Sequence, residues 1–394
     1  MSRTQVAASR DIWAELVGQE PLVGVLRPAV EAAEEWAAGR ADAAMTHAWL
    51  VTGPPGSGRS NAARAFAGAL QCPSGGCAGC AACQQVLAGS HPDVTVVDTE
   101  GLSISVDDVR ELVLRAAMAP TLGRWSVIVV EDADRLTEQA ANALLKSLEE
   151  PAARTLWMLC APTSDDVLPT IRSRCRQVSL RTPPTAAVAA ALEVAGAQPA
   201  LAAFAARASQ GHIGRARALA RDEAVRNRRR EVLEMPLRLR DPGDCVRAAD
   251  NVHEAAKEES EAVAATLERR ELAEHAQVWG TGTRGAKARG EQGALSELKK
   301  TQKARRTRLV RDSVDRALLD LLSAQRDVLR LQMGGEVELV NEEMRAVLDE
   351  VARRTTAART LRRIEALVHC REAMTLNVAP LLALEQAFLR LARA

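Results

Sequence analysis

From Trp49 to about Leu180 the chain alternates short apolar runs with stretches whose apolar residues recur at helical spacing. Ala48–Thr52, Asp93–Asp98, Trp125–Val130 and Thr155–Cys160 read as strands, and Val106–Ala117 and Thr137–Leu148 as helices between them. Strands separated by helices predict βαβ units and a mostly parallel sheet. Beyond Pro183-Pro184 the strand signal disappears. Residues 185–222 read as short alanine-rich helices broken at Gln210-Gly211-His212, and nearly everything from Glu223 onward has helical period. Leu361, Ile364, Leu367 and Val368, for example, recur at three- and four-residue steps.

Residues 251–310 stand apart. Glu254–Glu274 is acidic-leaning, Gly280–Gly293 is glycine-rich, and Arg284–Arg308 carries nine basic residues against two acidic. With no apolar stripe in its middle, the segment is expected to be a solvated helical hairpin with a flexible tip. The competing expectation is a contact with nucleic acid or an acidic partner.

Composition narrows the classes. In 394 residues, 52 basic and 51 acidic side chains leave a net charge of +1, which argues against a wholly basic nucleic-acid protein. The balance is segregated: residues 1–180 hold 15 basic and 21 acidic side chains, a net of −6, so the remainder carries +7. Aromatics are 2%, with no Tyr, too few for a base-stacking single-strand binder. No apolar run reaches the roughly 20 residues of a membrane span. Met1–Asp11 is polar and lacks the apolar core of a secretory signal, so a reducing cytoplasmic setting is expected.

Candidate chemistry begins where the first strand ends. Gly53-Pro54-Pro55-Gly56-Ser57-Gly58-Arg59-Ser60 runs into a helix predicted from about Asn61 and has the spacing of a phosphate-binding P-loop. In such a loop backbone N–H groups cradle phosphate, a Lys reaches the outer phosphates, and a Ser or Thr hydroxyl binds Mg²⁺. Here Gly53, Gly56, Gly58 and Ser60 fit, but Arg59 occupies the Lys position, and a forked guanidinium does not freely replace a compact ammonium. The third strand ends in Glu131-Asp132, where a P-loop ATPase places its Mg²⁺ ligand and water-activating carboxylate in the order Asp-Glu. The swap displaces both functions by about one methylene. A nucleotide site built from Gly53, Gly56, Gly58, Arg59, Ser60, Glu131 and Asp132 is therefore degenerate. It either serves structure alone or holds ATP and Mg²⁺ without turnover.

Cys72, Cys77, Cys80 and Cys83 are spaced C-x4-C-x2-C-x2-C, with Pro73-Ser74-Gly75-Gly76 and Gly79 supplying turns. Four thiolates so close in sequence predict a closed tetrahedral Zn²⁺ site of structural type. The three-residue steps suggest that Cys77, Cys80 and Cys83 share one side of a helical turn. Cys160, Cys175, Cys245 and Cys370 are scattered and read as small buried fillers.

These motifs combine. The P-loop, the four-Cys insert, Ala141-Asn142-Ala143-Leu144-Leu145-Lys146-Ser147-Leu148-Glu149-Glu150-Pro151 and Ser173-Arg174-Cys175 together resemble the AAA+ subunits of the bacterial replicative clamp loader. Trp13-Ala14-Glu15-Leu16-Val17-Gly18-Gln19 is similar to that family's N-terminal segment near the nucleotide base, and His91-Pro92-Asp93 fits as well. The likeness covers about residues 9–222 well and the C-terminal helices more loosely. It implies an AAA+ base domain with a zinc insert (72–83) over residues 1–182, a helical lid over 183–222, and an all-α collar over 223–394 that carries the charged insertion 251–310.

The resemblance also implies roles. Arg174 matches the family's arginine finger, inserted in trans into a neighbour's ATP site. Thr163 lies near the first sensor position. Where ATPase members carry a lid arginine after Gly-x-x, this chain has Gly214, with Arg215 one residue late. Together with Arg59 and the Glu131-Asp132 order, this favours a delta-prime-like stator over a tau/gamma ATPase. Its implied partners are delta and tau/gamma subunits and, through them, the sliding clamp and primed DNA. Two other readings compete: an active tau/gamma-type ATPase that tolerates Arg59, and an independent zinc-containing DNA-binding module.

Overall fold

A computed structural model describes residues 11–40, 44–97, 103–279, 291–334, 338–376 and 378–393. They cluster into two compact units, one ending at Arg221 and one running from Asp222 onward.

The first unit is built on five strands: β1 Ala48–Thr52, β2 Val94–Val97, β3 Ser126–Val130, β4 Thr155–Ala161 and β5 Arg176–Ser179. All pairs are parallel, in the order β2-β3-β4-β1-β5. The helices are α1 Glu20–Ala37, α2 Arg59–Gln71, α3 Ala81–Leu87, α4 Val106–Ala116, α5 Glu138–Glu149, α6 Pro169–Arg172, α7 Thr185–Val194, α8 Pro199–Ser209 and α9 Ile213–Arg221. Both faces of the sheet are covered. Trp49, Val51, Val127, Val129 and Met158 pack under α1 and α2, while Leu50, Ile128, Val130, Trp157 and Leu159 pack under α4 and α5. Burial on both sides explains why these strands read as unbroken apolar runs.

The four strands expected from the pattern are present within a residue or two, although Asp98 lies outside the described residues. The helix after the P-loop begins at Arg59 rather than Asn61. β5 was not anticipated: its Arg-Gln-Val-Ser is a short edge strand with one buried side chain, Val178, and edges are kept polar.

The second unit is helical: α10 Glu223–Glu234, α11 Pro242–Trp279, α12 Glu291–Gln332, α13 Arg345–Arg354, α14 Ala357–Thr375 and α15 Pro380–Arg393. Its core gathers Ala249, Val252, Val314, Leu318, Leu367, Leu384 and Phe388. Residues 251–279 and 291–310 lie in the long helices α11 and α12, which pack against each other. Their seam is buried through small and charged residues, among them Ser260, Ala264, Glu268 and Gln302. Residues 280–290, which hold most of the glycine-rich tip, lie outside the described residues. Among the described residues, no helix is long and apolar enough to cross a membrane. The fold class read from the sequence is borne out as a parallel sheet flanked by helices, followed by a helical C-terminal part.

Candidate functional site

The loop Gly53–Ser60 leaves the carboxyl end of β1, inside the sheet between β4 and β5, where parallel α/β sheets bind ligands. Gly58 caps α2 in the left-handed conformation at φ 100° and offers no side-chain hydrogen bond, so the helix N-terminus keeps its anion-binding character. Gly56, at φ 78°, lies under the His212 ring; a Cβ there would meet ring atoms at 2.1 Å. Arg59 closes the loop on itself, its Nη1 donating to the Gly53 carbonyl at 2.8 Å. The Ser57 hydroxyl is buried without a hydrogen-bond partner.

Acids follow β3, one strand removed from β1. The Glu131 carboxylate accepts from Arg64 Nη2 on α2 at 2.7 Å, so a cation on α2 already neutralises it. Asp132 opens the next turn. Burial pushes the Asp134 carboxyl above the usual range, and the nearby Asp132 charge adds to the shift. Thr163 N and Oγ1 both donate to Asp166, at 2.9 and 2.8 Å. The loop is also met by α9, where Ile213 N donates to the Gly56 carbonyl at 3.1 Å. Arg215 N donates to His212 Nδ1 at 3.2 Å. The N-terminal segment reaches both α9 and the stretch after β5: Glu15 pairs with Arg217 at 2.8 Å, and Gln19 exchanges two hydrogen bonds with the Arg181 backbone.

Arg174 stands on the short turn after α6. Its Nε donates to Glu149 at 2.7 Å, and its Nη1 donates to the Thr170 carbonyl at 2.8 Å and to Ser173 Oγ at 3.3 Å. The two sequence motifs thus meet in space, the last turn of α5 fixing the guanidinium of Ser-Arg-Cys. Burial pushes the neighbouring Cys175 thiol up to about 12, so it remains an unionised thiol.

The four clustered cysteines place their Sγ atoms within 4.8 Å of one another. Cys72 Sγ lies 3.6 Å from Cys77 Sγ and 3.7 Å from Cys80 Sγ. A tetrahedral ZnS4 centre with Zn–S of about 2.3 Å has sulfur–sulfur edges of about 3.8 Å. The donor set therefore fits Zn²⁺. Burial opposes ionisation of Cys72, but the backbone N–H groups of Cys77, Gly76 and Ser74 outweigh it and bring the thiol down to about 6. The one-helix arrangement expected for Cys77, Cys80 and Cys83 is corrected. Cys72 ends α2, Cys77 lies in the turn, Cys80 caps α3 and only Cys83 is inside it, because the glycine turns fold the thiols together. The N-terminal segment seals this knot, Ile12 N donating to the Gly76 carbonyl at 2.9 Å.

Sequence reasoning passed over two pairings at the site, those of Arg64 and Glu149, and, away from it, the anchoring role of Asp93. Asp93 accepts from the N–H groups of Thr121, Leu122 and Gly123 at 2.6, 2.8 and 2.5 Å and fixes the loop before β3. Burial would raise its pKa, but these three donors outweigh burial and hold it below the ordinary value.

Fold and site define a P-loop α/β protein with a cysteine knot and a helical C-terminal unit. Residues 30–184 match the family described as "DNA polymerase III, delta subunit". The chain is 42% identical over 147 residues to DNA polymerase III subunit delta' of Pseudomonas aeruginosa, a match covering 36% of this chain and 45% of that protein. It is 41% identical over 181 residues to the Escherichia coli subunit delta', covering 44% of this chain and 54% of that one. It is also 36% identical over 177 residues to DNA polymerase III subunit gamma/tau of Mycobacterium bovis, covering 44% of this chain and 29% of that protein. The chain thus spans about half the length of these delta' relatives and less of gamma/tau. Over these residues the chain is thus similar to both delta' and gamma/tau subunits of DNA polymerase III.

Proposed function

We propose that the chain is the delta-prime-type member: an accessory subunit that does not turn over ATP and lends Arg174 to a neighbouring subunit's ATP site. The observation that carries this reading is the state of the phosphate loop. Arg59 is engaged with the loop's own first carbonyl, and Glu131 is engaged with Arg64, so the two groups that would serve phosphate and Mg²⁺ have internal partners. Gly214 stands where ATPase members carry a γ-phosphate-sensing arginine. ATP bound here would lie against the loop's N–H groups and Ser60 and would supply only a bound triphosphate.

In this role residues 1–182 form the base, 183–222 the lid and 223–394 the collar, with zinc as a structural brace beneath the N-terminal segment. The partners are delta and tau/gamma, then the sliding clamp and primed DNA through the assembly, in the cytoplasm. Arg174 suits a task in trans because it is positioned by Glu149 and Thr170 yet remains at the surface. A forked guanidinium held in place stabilises charge on a transferred phosphoryl group.

The test is ATP turnover by the isolated chain, alone and with primed DNA. Hydrolysis that persists after removal of contaminants and is abolished by Arg59→Ala would replace this reading with the tau/gamma one. That second reading is the alternative because the chain is similar to gamma/tau as well as to delta' relatives.

A further inference from the structure

In the helical unit, α10, α12, α13 and α14 surround a cavity of about 200 Å³ with an open mouth. Its floor is apolar, with Leu233, Val328 and Leu348 buried, and its rim carries exposed Leu237 and Val347. Two polar side chains on its wall have no partner. Gln325 is 4% exposed, and its Oε1 makes no hydrogen bond. The Nε of Arg363 is likewise buried and unbonded, and among the described residues Arg363 has no carboxylate facing it. Burial and the charge of Arg359 lower its pKa, as expected of a cation without a counter-ion. The chain around it is strongly basic: Arg353, Arg354, Arg359, Arg362 and Arg363 occur within eleven residues that contain no acid.

A half-buried guanidinium without a partner is costly, and so is a buried amide oxygen without a donor. Both costs fall when a ligand brings an anion and a donor. We propose that this cavity docks an acidic amphipathic segment of a partner protein, one apolar side chain entering the floor and an adjacent carboxylate meeting Arg363. The volume is below the roughly 300–1,000 Å³ of small-molecule pockets, and it suits one side chain rather than a long acyl chain. The exposed leucine and valine at the rim would face the rest of the apolar stripe. A phosphodiester would answer the arginines but leave that apolar surface in water. The inference stands on the helical unit alone and does not rest on the role proposed for ATP turnover.

The experiment uses the full chain with labelled Leu and Val methyl groups, observed by NMR. The probes are an amphipathic peptide of Glu, Leu, Phe and Ala, its Gln-for-Glu counterpart, octanoate and oligothymidylate. The acidic peptide is expected to shift the Val328 and Leu348 methyls. Its affinity should fall at least about tenfold with the Gln peptide and with Arg363→Gln, as when a charge-assisted hydrogen bond is lost. Val347→Asp, at an exposed rim position and with folding checked by the unperturbed remainder of the methyl spectrum, should repel the same peptide. Absence of methyl shifts, binding indifferent to all three changes, or tighter binding of octanoate or oligothymidylate than of the acidic peptide would each overturn the proposal.

Discussion

Replacing Arg174 by alanine separates a structural role from a role in trans, because the two differ in size by orders of magnitude. The guanidinium is 35% exposed and its partner Glu149 is 48% exposed. Exposed ion pairs contribute about 0.2–1 kcal/mol. For a unit of this size the loss shifts the thermal midpoint by at most about 2–4 °C. An arginine finger contributes on the order of a thousandfold or more in turnover, or about 4 kcal/mol of the barrier. If Arg174 acts in trans as proposed, Arg174→Ala should fold almost normally and still assemble with the proposed partner subunits, while the neighbouring ATP site falls silent. Steady-state phosphate release by the reconstituted complex, with clamp and primed DNA, should drop by that site's share. Glu149→Gln retains a hydrogen-bond acceptor but removes the charge, so it should give an intermediate loss with the same stability. Wild-type phosphate release by an assembled Arg174→Ala complex would refute the argument. So would a loss that tracks failure to assemble.

Other consequences follow from the same geometry. Cys80→Ser should lower bound zinc from one equivalent, read by metal analysis, and expose the insert to proteolysis; full metal retention would contradict the four-thiolate site. Arg229 is 4% exposed and pairs with Asp320, itself 6% exposed, at 3.1 Å and with Glu343 at 2.8 Å. Arg229→Ala removes the cation facing the buried Asp320 carboxylate and should cost about 3–5 kcal/mol in urea unfolding. The folded pKa of Asp93 lies below the ordinary aspartate value, so its contribution is complete above that value and is lost as pH falls through the lower folded pKa. The gap in thermal midpoint between wild type and Asp93→Asn should hold from pH 7 to 5 and narrow below pH 4, whereas a gap constant down to pH 2 would exclude the carboxylate as its cause.

What the sequence revealed and what it hid differ in range. The P-loop and the cysteine cluster are local: each places its candidate chemistry within a dozen residues, so spacing alone points to the turn and the candidate ligands, though not to the helix boundaries. The buried strands were visible because sheet burial on both faces leaves continuous apolar runs. Pairings between distant residues carry no such signature. Arg64 meets Glu131 across 67 residues and Arg229 meets Asp320 across 91; Arg64, Arg229 and Asp320 each alone read as ordinary surface charges, and nothing in the sequence tied Glu131 to Arg64. The Arg174–Glu149 contact was hidden in the same way, although both residues had been singled out in separate motifs. β5 escaped because an edge strand of four residues with one buried side chain has no pattern to detect.

The segregated charge has a structural use that composition alone did not suggest. Along the hairpin the acids belong to α11 and the bases mostly to α12. Glu271 takes Arg305 at 2.8 Å, Glu268 takes Arg306, and Glu259 takes Arg316 at 3.0 Å and also Arg228 of α10 at 3.2 Å. Part of the basic surplus of residues 284–308 is thus committed within the chain rather than offered to a polyanion. Partly buried pairs of this kind contribute little net stability, since desolvation offsets attraction. Their effect here is on alignment. A seam of Ser260, Ala264 and Gln302 offers few side chains large enough to reject a slipped register. Each one-turn slip of α12 past α11, however, separates Glu268 and Glu271 from Arg306 and Arg305 and leaves half-buried charges alone. Within this hairpin, charge therefore does the register work that apolar residues do elsewhere in the unit.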